Sequence, residues 1–177
     1  MTEQDVKIAG QHQKAMDLAS RYLSYKPRTR KELCSHLREK GIDEENISLC
    51  ADLLEEYHLL DDLQYSRMYI ESMMDRGRGM MRIQRELNQK GISREIIEES
   101  LEMMEEMPSE DDMALQQAED AVRGEDIAAM DYRQRERLKG RIARRLAGRG
   151  FRTEAIYQAV AKAVEDRLQE QREETSE

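Results

Sequence analysis

The residues of this 177-residue chain that are best suited to chemistry are its arginine and lysine side chains, which fall into three groups. Residues 26–41 carry six Lys/Arg and two Glu, residues 76–91 carry five and one, and residues 133–150 carry eight and one. The acidic stretches at 42–62 and 95–120 hold eight and eleven Asp/Glu and no Lys/Arg. Basic groups of this density attract phosphate backbones or acidic protein surfaces, so they predict a binding function.

The separation of basic from acidic segments also has a structural explanation, in which basic and acidic helices form ion pairs with one another. Exposed ion pairs stabilise a fold by only ~0–1 kcal/mol each, which is a weak reason for sorting charge so thoroughly. We therefore predict that the basic helices line one side of the protein and form a basic surface backed by an acidic one. Both explanations stay open at this point.

The cysteine and histidine residues favour a structural explanation over a metal site. Cys34 and His36 are two residues apart, and on a helix such neighbours point in different directions, so they do not form a metal site with Cys50 and His58. We expect both cysteines to be free thiols that pack as small apolar residues in a reducing cytoplasm. Neither a metal nor another cofactor is expected.

Few other residues suggest catalysis. The acidic pair Asp61-Asp62 precedes a helix predicted to begin near Leu63, so one of the two is expected to cap that helix. The sequence contains no P-loop, nucleophile elbow or zinc-protease pattern, and we predict that the protein is not an enzyme. Tyr25 and Tyr132 lie beside basic segments and could stack on nucleic-acid bases, but packing in the core or at its rim is the favoured interpretation.

The elements that must position the cations are encoded by one phrase, which occurs three times. It reads LREKGIDEENI from Leu37, LNQKGISREII from Leu87 and LAGRGFRTEAI from Leu146. In each copy a Leu stands four residues before a Gly, a cation just before the Gly and an apolar residue just after it. This arrangement predicts a helix that ends at the Gly in a left-handed turn, closed by contact between the apolar residue and the Leu.

Helices are predicted on both sides of each turn. Asp43, Ser93 and Thr153 are the expected N-caps of the helices that follow, and Thr29 and Glu32 form a capping box before the first phrase. A further helix precedes each of these pairs. In the second copy that helix is expected to share one face among Tyr65, Met68, Tyr69 and Ser72.

These patterns predict an all-α protein built as an elongated array of three tandem three-helix repeats. The expected divisions are a flexible N-terminal segment at 1–13, repeats at 14–61, 62–108 and 109–167, and an acidic tail at 168–177. No apolar run approaches the roughly 20 residues of a membrane-spanning helix, and the first ten residues lack the layout of a signal peptide. We expect a cytoplasmic monomer with no membrane association.

The three copies together resemble the RecX regulatory proteins of bacterial recombination. RKELCSHLREKGIDEENI and the later LLDDLQY are similar to the opening unit of that family. RGRGMMRIQRELNQKGISREIIEESL is similar to its most characteristic stretch, and RLKGRIARRLAGRGFRTEAIYQAV to its closing unit. Gly148-Arg149 replaces a more usual basic pair there. The resemblance covers residues 14–165.

This resemblance implies a non-enzymatic modulator of the RecA recombinase. Family members bind RecA and its filament on single-stranded DNA, commonly limiting filament growth and suppressing ATP hydrolysis and strand exchange, and some also bind DNA directly. The net charge of -9 favours the filament as the target over free DNA. By position, the implied contact residues are Arg28, Arg30, Lys31, Arg38, Lys40, Arg78, Arg82, Arg85, Lys90, Arg141, Arg144, Arg145 and Arg149.

Two other binding functions stay open. One is a helical-repeat scaffold for another acidic protein, and the other is a weak general DNA-binding protein. A helix-turn-helix DNA reader is disfavoured, because the helix after each Gly would be the recognition helix. That helix is acidic, and DNA would repel it.

Overall fold

The structure, a computed structural model, describes residues 3–104 and 107–175, and these ranges contain nine helices and no strand. The helices follow one another in three sets of three, so the protein is an all-α helical repeat array. The first set is α1 (Glu3–Tyr25), α2 (Arg30–Glu39) and α3 (Glu44–Glu56). The second is α4 (Asp62–Asp75), α5 (Met80–Gln89) and α6 (Arg94–Glu102). The third is α7 (Glu110–Val122), α8 (Tyr132–Arg149) and α9 (Thr153–Glu174).

The repeated phrase ends its helices as predicted. Gly41, Gly91 and Gly150 have φ angles of 76°, 89° and 91°, in the left-handed region that favours glycine. The residue after each Gly donates its N–H to the carbonyl of the Leu five positions earlier, at N···O distances of 3.2, 3.0 and 3.3 Å. The apolar residue and the Leu are buried in every copy. Each phrase therefore forms a Schellman ending, closed by its own apolar contact.

Most of the predicted helix starts are confirmed. The Thr29 hydroxyl accepts the N–H of Glu32 at 3.2 Å, and the Glu32 carboxylate accepts the N–H of Thr29, which completes the capping box. Asp43 and Ser93 each accept an N–H from three residues further on, as N-caps do. Asp61 accepts the N–H of Gln64 at 2.8 Å and so caps α4.

The predicted N-cap at Thr153 is wrong. Arg152 occupies that position without a side-chain cap, and Thr153 is the first helical residue of α9. The N–H of Arg152 donates to the Glu110 carboxylate at 3.2 Å, and its guanidinium pairs with the same carboxylate. The N–H of the N-cap residue is therefore satisfied by a carboxylate 42 residues away in sequence rather than by a side chain of α9.

The first of two compact units comprises residues 3–69 together with 86–104. In it α1 packs against α2 and α3, which also pack against each other. The small residues of α1 let the helices approach closely around a core of leucine and isoleucine. This core contains Ala15, Ala19, Leu33, Leu37, Ile42, Ile47, Cys50, Ala51, Leu54 and Leu60.

The second unit comprises residues 70–85 together with 107–175. Here α7 packs along α9, and α8 packs against both helices. Ile127 is fully buried in this core, although it lies in a segment that the sequence predicts only as a break between helices. That segment therefore anchors the start of α8 as well as connecting it to α7.

The apolar face of α4 and the two terminal segments differ from the prediction. The buried residues of α4 are Ser66, Ile70 and Met74, whereas Met68 is 50% exposed, so the predicted apolar face is wrong. Helix α1 begins at Glu3 and α9 ends at Glu174, so helix occupies most of the predicted terminal segments. Their flexibility and the repeat boundaries stay predictions, and residues 1, 2, 176 and 177 lie outside the described residues.

Candidate functional site

Two of the cations implied in the first repeat are engaged in ion pairs. Arg30 pairs with Asp52 at 2.6 Å and also with Glu55. Arg38 pairs with Glu44, with a Nη2···Oε2 distance of 2.8 Å. In both cases a cation of α2 meets a carboxylate of α3. The structural explanation of the separated charges therefore accounts for these two arginines.

Arg28 and Lys40 form no ion pair with a carboxylate of the described residues. The Arg28 guanidinium lies 4.3 Å from the ring centroid of Tyr22. That ring stacks on His36, with the two ring centroids 4.0 Å apart. Lys40 is exposed and has no side-chain partner in the described part of the chain. These residues are placed for cation–π contact or for a partner rather than for ion pairing.

The C-terminal end of α5 meets the N-terminal end of α2 in a contact that we call the first junction. The Thr29 hydroxyl donates to the Lys90 carbonyl at 2.7 Å, and the Lys31 ammonium donates to the Gln89 carbonyl at 3.0 Å. The Lys90 ammonium pairs with the Glu32 carboxylate at 2.7 Å. Burial raises the pKa of Glu32, but the bonds from Lys90 and Thr29 outweigh it and leave that pKa below its usual range.

A cleft of about 460 Å³ opens beside the first junction. Its walls carry the carboxylates of Glu32, Glu39 and Glu86 next to the ammonium groups of Lys31 and Lys90. The three carboxylates outnumber the two ammonium groups, so the cleft has no preference for anions. Another acidic residue of this unit, Asp62, accepts the N–H of Arg30 at 2.8 Å, and burial raises its pKa.

The C-terminal end of α8 meets the N-terminal end of α5 in an equivalent contact, the second junction. The N–H of Gly79 donates to the Arg149 carbonyl at 3.0 Å, and the Arg82 guanidinium donates to the Gly148 carbonyl at 3.1 Å. A Cβ atom at Gly79 would lie only 2.2 Å from the carbonyl oxygen of Gly150. Glycine is therefore required at position 79 because the two backbones touch.

The second junction gathers arginines without carboxylates. The half-buried Arg149 guanidinium donates to the Gly77 carbonyl at 3.3 Å and to the side-chain oxygen of Gln117. Burial and the nearby charges of Arg145 and Arg78 lower the pKa of Arg149. Neither Arg78 nor Arg145 has a side-chain partner within residues 3–104 and 107–175.

A row of arginines continues along α8. Arg137, Arg141 and Arg144 line a cleft of about 460 Å³ that also includes Met130 and Leu138. Arg141 pairs with Glu125, whereas Arg137 and Arg144 make no ion pair with any described residue. Arg137 is not among the contact residues predicted from sequence. Its spacing of four and seven residues from Arg141 and Arg144 is the signal that places it on their face.

The remaining side chains of interest agree only in part with the predictions. Tyr25 and Tyr132 are 86% and 73% exposed, so the favoured interpretation that they pack in the core or at its rim is wrong. Arg85 is exposed and has no side-chain partner in the described ranges. The described residues include no helix with both the length and the apolar character needed to cross a membrane.

The thiols behave as the sequence predicts. Cys50 is fully buried and Cys34 half-buried, and both are free. Burial, followed by the nearby Cys34, raises the pKa of Cys50 to about 11. His58 lies two residues beyond the end of α3 and has a φ of 55°. Among the residues that the structure describes, no three His, Cys, Asp or Glu side chains gather in a way that could hold a metal ion.

The fold defines a helical-repeat protein whose second helices end in cation-rich segments. Its residues 15–48 match the family model for the first three-helix domain of RecX, and residues 61–101 match the model for the second. Regulatory protein RecX of Halorhodospira halophila is 34% identical over 151 residues, which are 85% of this chain and 88% of that protein. The chain belongs to the RecX family of regulatory proteins.

Further relatives agree with this assignment. Regulatory protein RecX of Enterococcus faecalis is 35% identical over 99 residues, which are 55% of this chain but only 37% of that protein. The crystal structure of RecX from Lactobacillus salivarius is 27% identical and covers 88% of this chain and 97% of that one, with a TM-score of 0.73. The family and its repeat architecture thus rest on both sequence and structure.

Proposed function

We propose that the protein regulates the RecA recombinase by binding the RecA filament on single-stranded DNA, and that it does so without catalysis. The observation that carries this proposal is membership of the RecX family. The charge distribution supports it, because Arg85 on α5 and Arg144 and Arg145 on α8 have no carboxylate partner among the described residues. A filament of protein on DNA presents phosphates and acidic side chains to such cations.

The ion pairs rank the proposed contact residues. Arg30 and Arg38 would first have to give up their carboxylate partners, and that cost offsets part of any new contact. Arg85, Arg144 and Arg145 are exposed and have no such partner in the described ranges, so a filament can engage them at once. We therefore expect the α5 and α8 cations to contribute more to filament binding than those of α2.

A binding protein of this kind inhibits RecA by occupying its filament. A ligand shifts an equilibrium only by its difference in affinity between two states, so a protein that binds filament without supporting growth lowers the rate of growth and of linked ATP hydrolysis. The acidic helix α3 would be repelled by DNA, which restricts the orientations in which the protein can bind. No reacting group of this chain is needed in that mechanism.

The test is DNA-dependent ATP hydrolysis by the cognate RecA as this protein is titrated in. The wild-type protein is expected to lower the rate, and the double variant Arg144→Glu with Arg145→Glu to lower it much less. Arg94→Glu is the matched control, because Arg94 is exposed and pairs, among the described residues, only with Glu98 of its own helix. An unchanged rate, together with no co-sedimentation with filaments, would refute the proposal and favour the scaffold function.

A further inference from the structure

The two junctions share one geometry but differ in charge. In each junction, the second helix of one repeat ends against the start of the second helix of the preceding repeat. A backbone carbonyl at that helix end accepts a hydrogen bond from the helix start. Aligned on the glycines of the repeated phrase, Glu32 corresponds to Arg82, Glu86 to Arg145 and Lys90 to Arg149. Two carboxylates of the first junction are thus replaced by arginines in the second.

Stabilisation of the fold explains the charges of the first junction better than it explains those of the second junction. In the first junction the half-buried ammonium of Lys90 has a carboxylate partner at 2.7 Å. In the second the half-buried Arg149 guanidinium is bonded only to neutral oxygens, and a buried charge without a counter-charge is costly. The C-terminal dipole of α8 favours Arg145 and Arg149. Arg78, however, stands just before the N-terminal end of α5, where the helix dipole disfavours a cation.

The three arginines converge at one place. Arg78 lies between Gly77 and Gly79, and Arg149 binds both of these glycines, through its side chain and its carbonyl respectively. Arg145 lies one helical turn before Arg149 on α8. No acidic residue occupies the first turn of α5. None of the three arginines pairs with a carboxylate of the described residues, so the group lacks an internal anion.

Further cations without an ion-pair partner among the described residues lie beyond this group. Arg144 and Arg137 continue them along α8, which at 18 residues is about 27 Å long. A single carboxylate side chain would satisfy one of these positions. A polymer with an anion on every unit would satisfy the whole row, and arginine binds phosphate oxygens with paired N–H donors.

We propose that Arg78, Arg145 and Arg149 at the second junction form a binding site for a backbone phosphate of single-stranded nucleic acid, and that Arg144 and Arg137 extend its track along α8. The inference rests on the proposed function and assigns the phosphate contact within it. The first junction, where carboxylates balance the lysines, takes no part in phosphate binding.

The test measures binding of a fluorescent oligothymidylate to the full chain by anisotropy at increasing salt, with no RecA present. Arg78→Gln and Arg145→Gln are chosen because neither side chain holds the junction together, whereas Arg149 does. Each is expected to weaken binding about fivefold near 0.1 M salt and to reduce the slope of log K against log salt by about 0.7, the value for one lost single-strand phosphate contact. Arg133→Gln removes an exposed arginine from the far end of α8 that pairs with no described residue, and it is expected to change affinity less than twofold.

Three results would overturn the site. The first is no oligothymidylate binding by the wild-type protein at low salt, and the second is equal affinities for Arg145→Gln and Arg133→Gln. The third is loss of filament co-sedimentation by Arg145→Gln with unchanged oligothymidylate binding, which would assign the arginines to an acidic protein surface. If the protein suppresses ATP hydrolysis by RecA but does not bind oligothymidylate, the proposed function stands and the phosphate site is wrong. If it binds oligothymidylate but does not suppress RecA, the phosphate site stands and the proposed function is wrong.

Discussion

Replacing Gly79 with alanine tests the close approach of backbones at the second junction. The added Cβ would lie 2.2 Å from the carbonyl oxygen of Gly150 and 2.3 Å from the nitrogen of Phe151. Both are backbone atoms, so neither can move aside by changing a rotamer. Overpacking usually costs about 1–3 kcal/mol and occasionally more, and a clash with backbone belongs at the upper end of that range.

Whether alanine raises or lowers the free energy of unfolding is as informative as the size of the change. Alanine in place of glycine restricts the unfolded chain, and at a position with room it stabilises by about 0.4–1 kcal/mol. Gly148→Ala provides that control, because Gly148 lies within α8 and nothing comes within 4 Å of its added Cβ. We therefore expect Gly148→Ala to raise the free energy of unfolding by about 1 kcal/mol and Gly79→Ala to lower it by about 3 kcal/mol.

Thermal unfolding followed by circular dichroism measures both variants. For a chain of this size a change of 1 kcal/mol moves the midpoint by about 2–4 °C, so Gly79→Ala is expected to unfold about 6–12 °C below the wild type. An equal or higher midpoint for Gly79→Ala would show that the two helix ends are not in contact, and the second junction would lose its geometric basis.

Three further predictions concern stability and reactivity. Gly41→Ala is expected to cost about 1–2 kcal/mol through its left-handed backbone alone, and Gly150→Ala more, because its Cβ would also meet the preceding repeat; denaturant unfolding of both variants would show equal losses if that contact were absent. The Cys50 thiol, with a pKa of about 11, should resist thiol reagents near pH 8 until the protein unfolds, and rapid modification of the native chain would contradict its burial. Because the pKa of Glu32 is lowered in the folded state, its contribution is present above the ordinary value of 4.5 and is lost as the pH falls below it. Glu32→Gln should therefore cost about 1 kcal/mol at neutral pH and flatten the acid limb of the stability curve, and a double variant that also changes Lys90 should show coupling.

Local features of the fold could be predicted from sequence because their partners are neighbours in the chain. The Schellman endings join residues five apart, and the Thr29–Glu32 box joins residues three apart. The cap of α9 could not be predicted in this way, because the N–H of Arg152 is satisfied by Glu110, 42 residues away. Ile127 was missed for a similar reason, since a single isoleucine in a turn segment carries no helical periodicity.

The candidate site shows the same division. Counting charges located the basic segments, and the resemblance to RecX proteins placed the candidate cations within them. Whether each cation forms an ion pair depends on contacts between residues that are distant in sequence. Arg30 pairs with Asp52 and Glu55, 22 and 25 residues away, whereas Arg145 pairs with no carboxylate among the described residues. Which cations remain available to a partner is therefore a property of tertiary structure, and helix periodicity alone does not determine it.

The junctions also give the repeat a direction of growth. Lys31 covers Gly91 and Arg82 covers Gly150, whereas no described atom lies within 4 Å of a Cβ built on Gly41. An engineered fourth repeat could accordingly be spliced in upstream, with the start of its own second helix placed over the vacant turn at Gly41. The downstream side offers no such start, because α8 passes through the corresponding position without a break. In this chain an added repeat would find such a contact on the upstream side only.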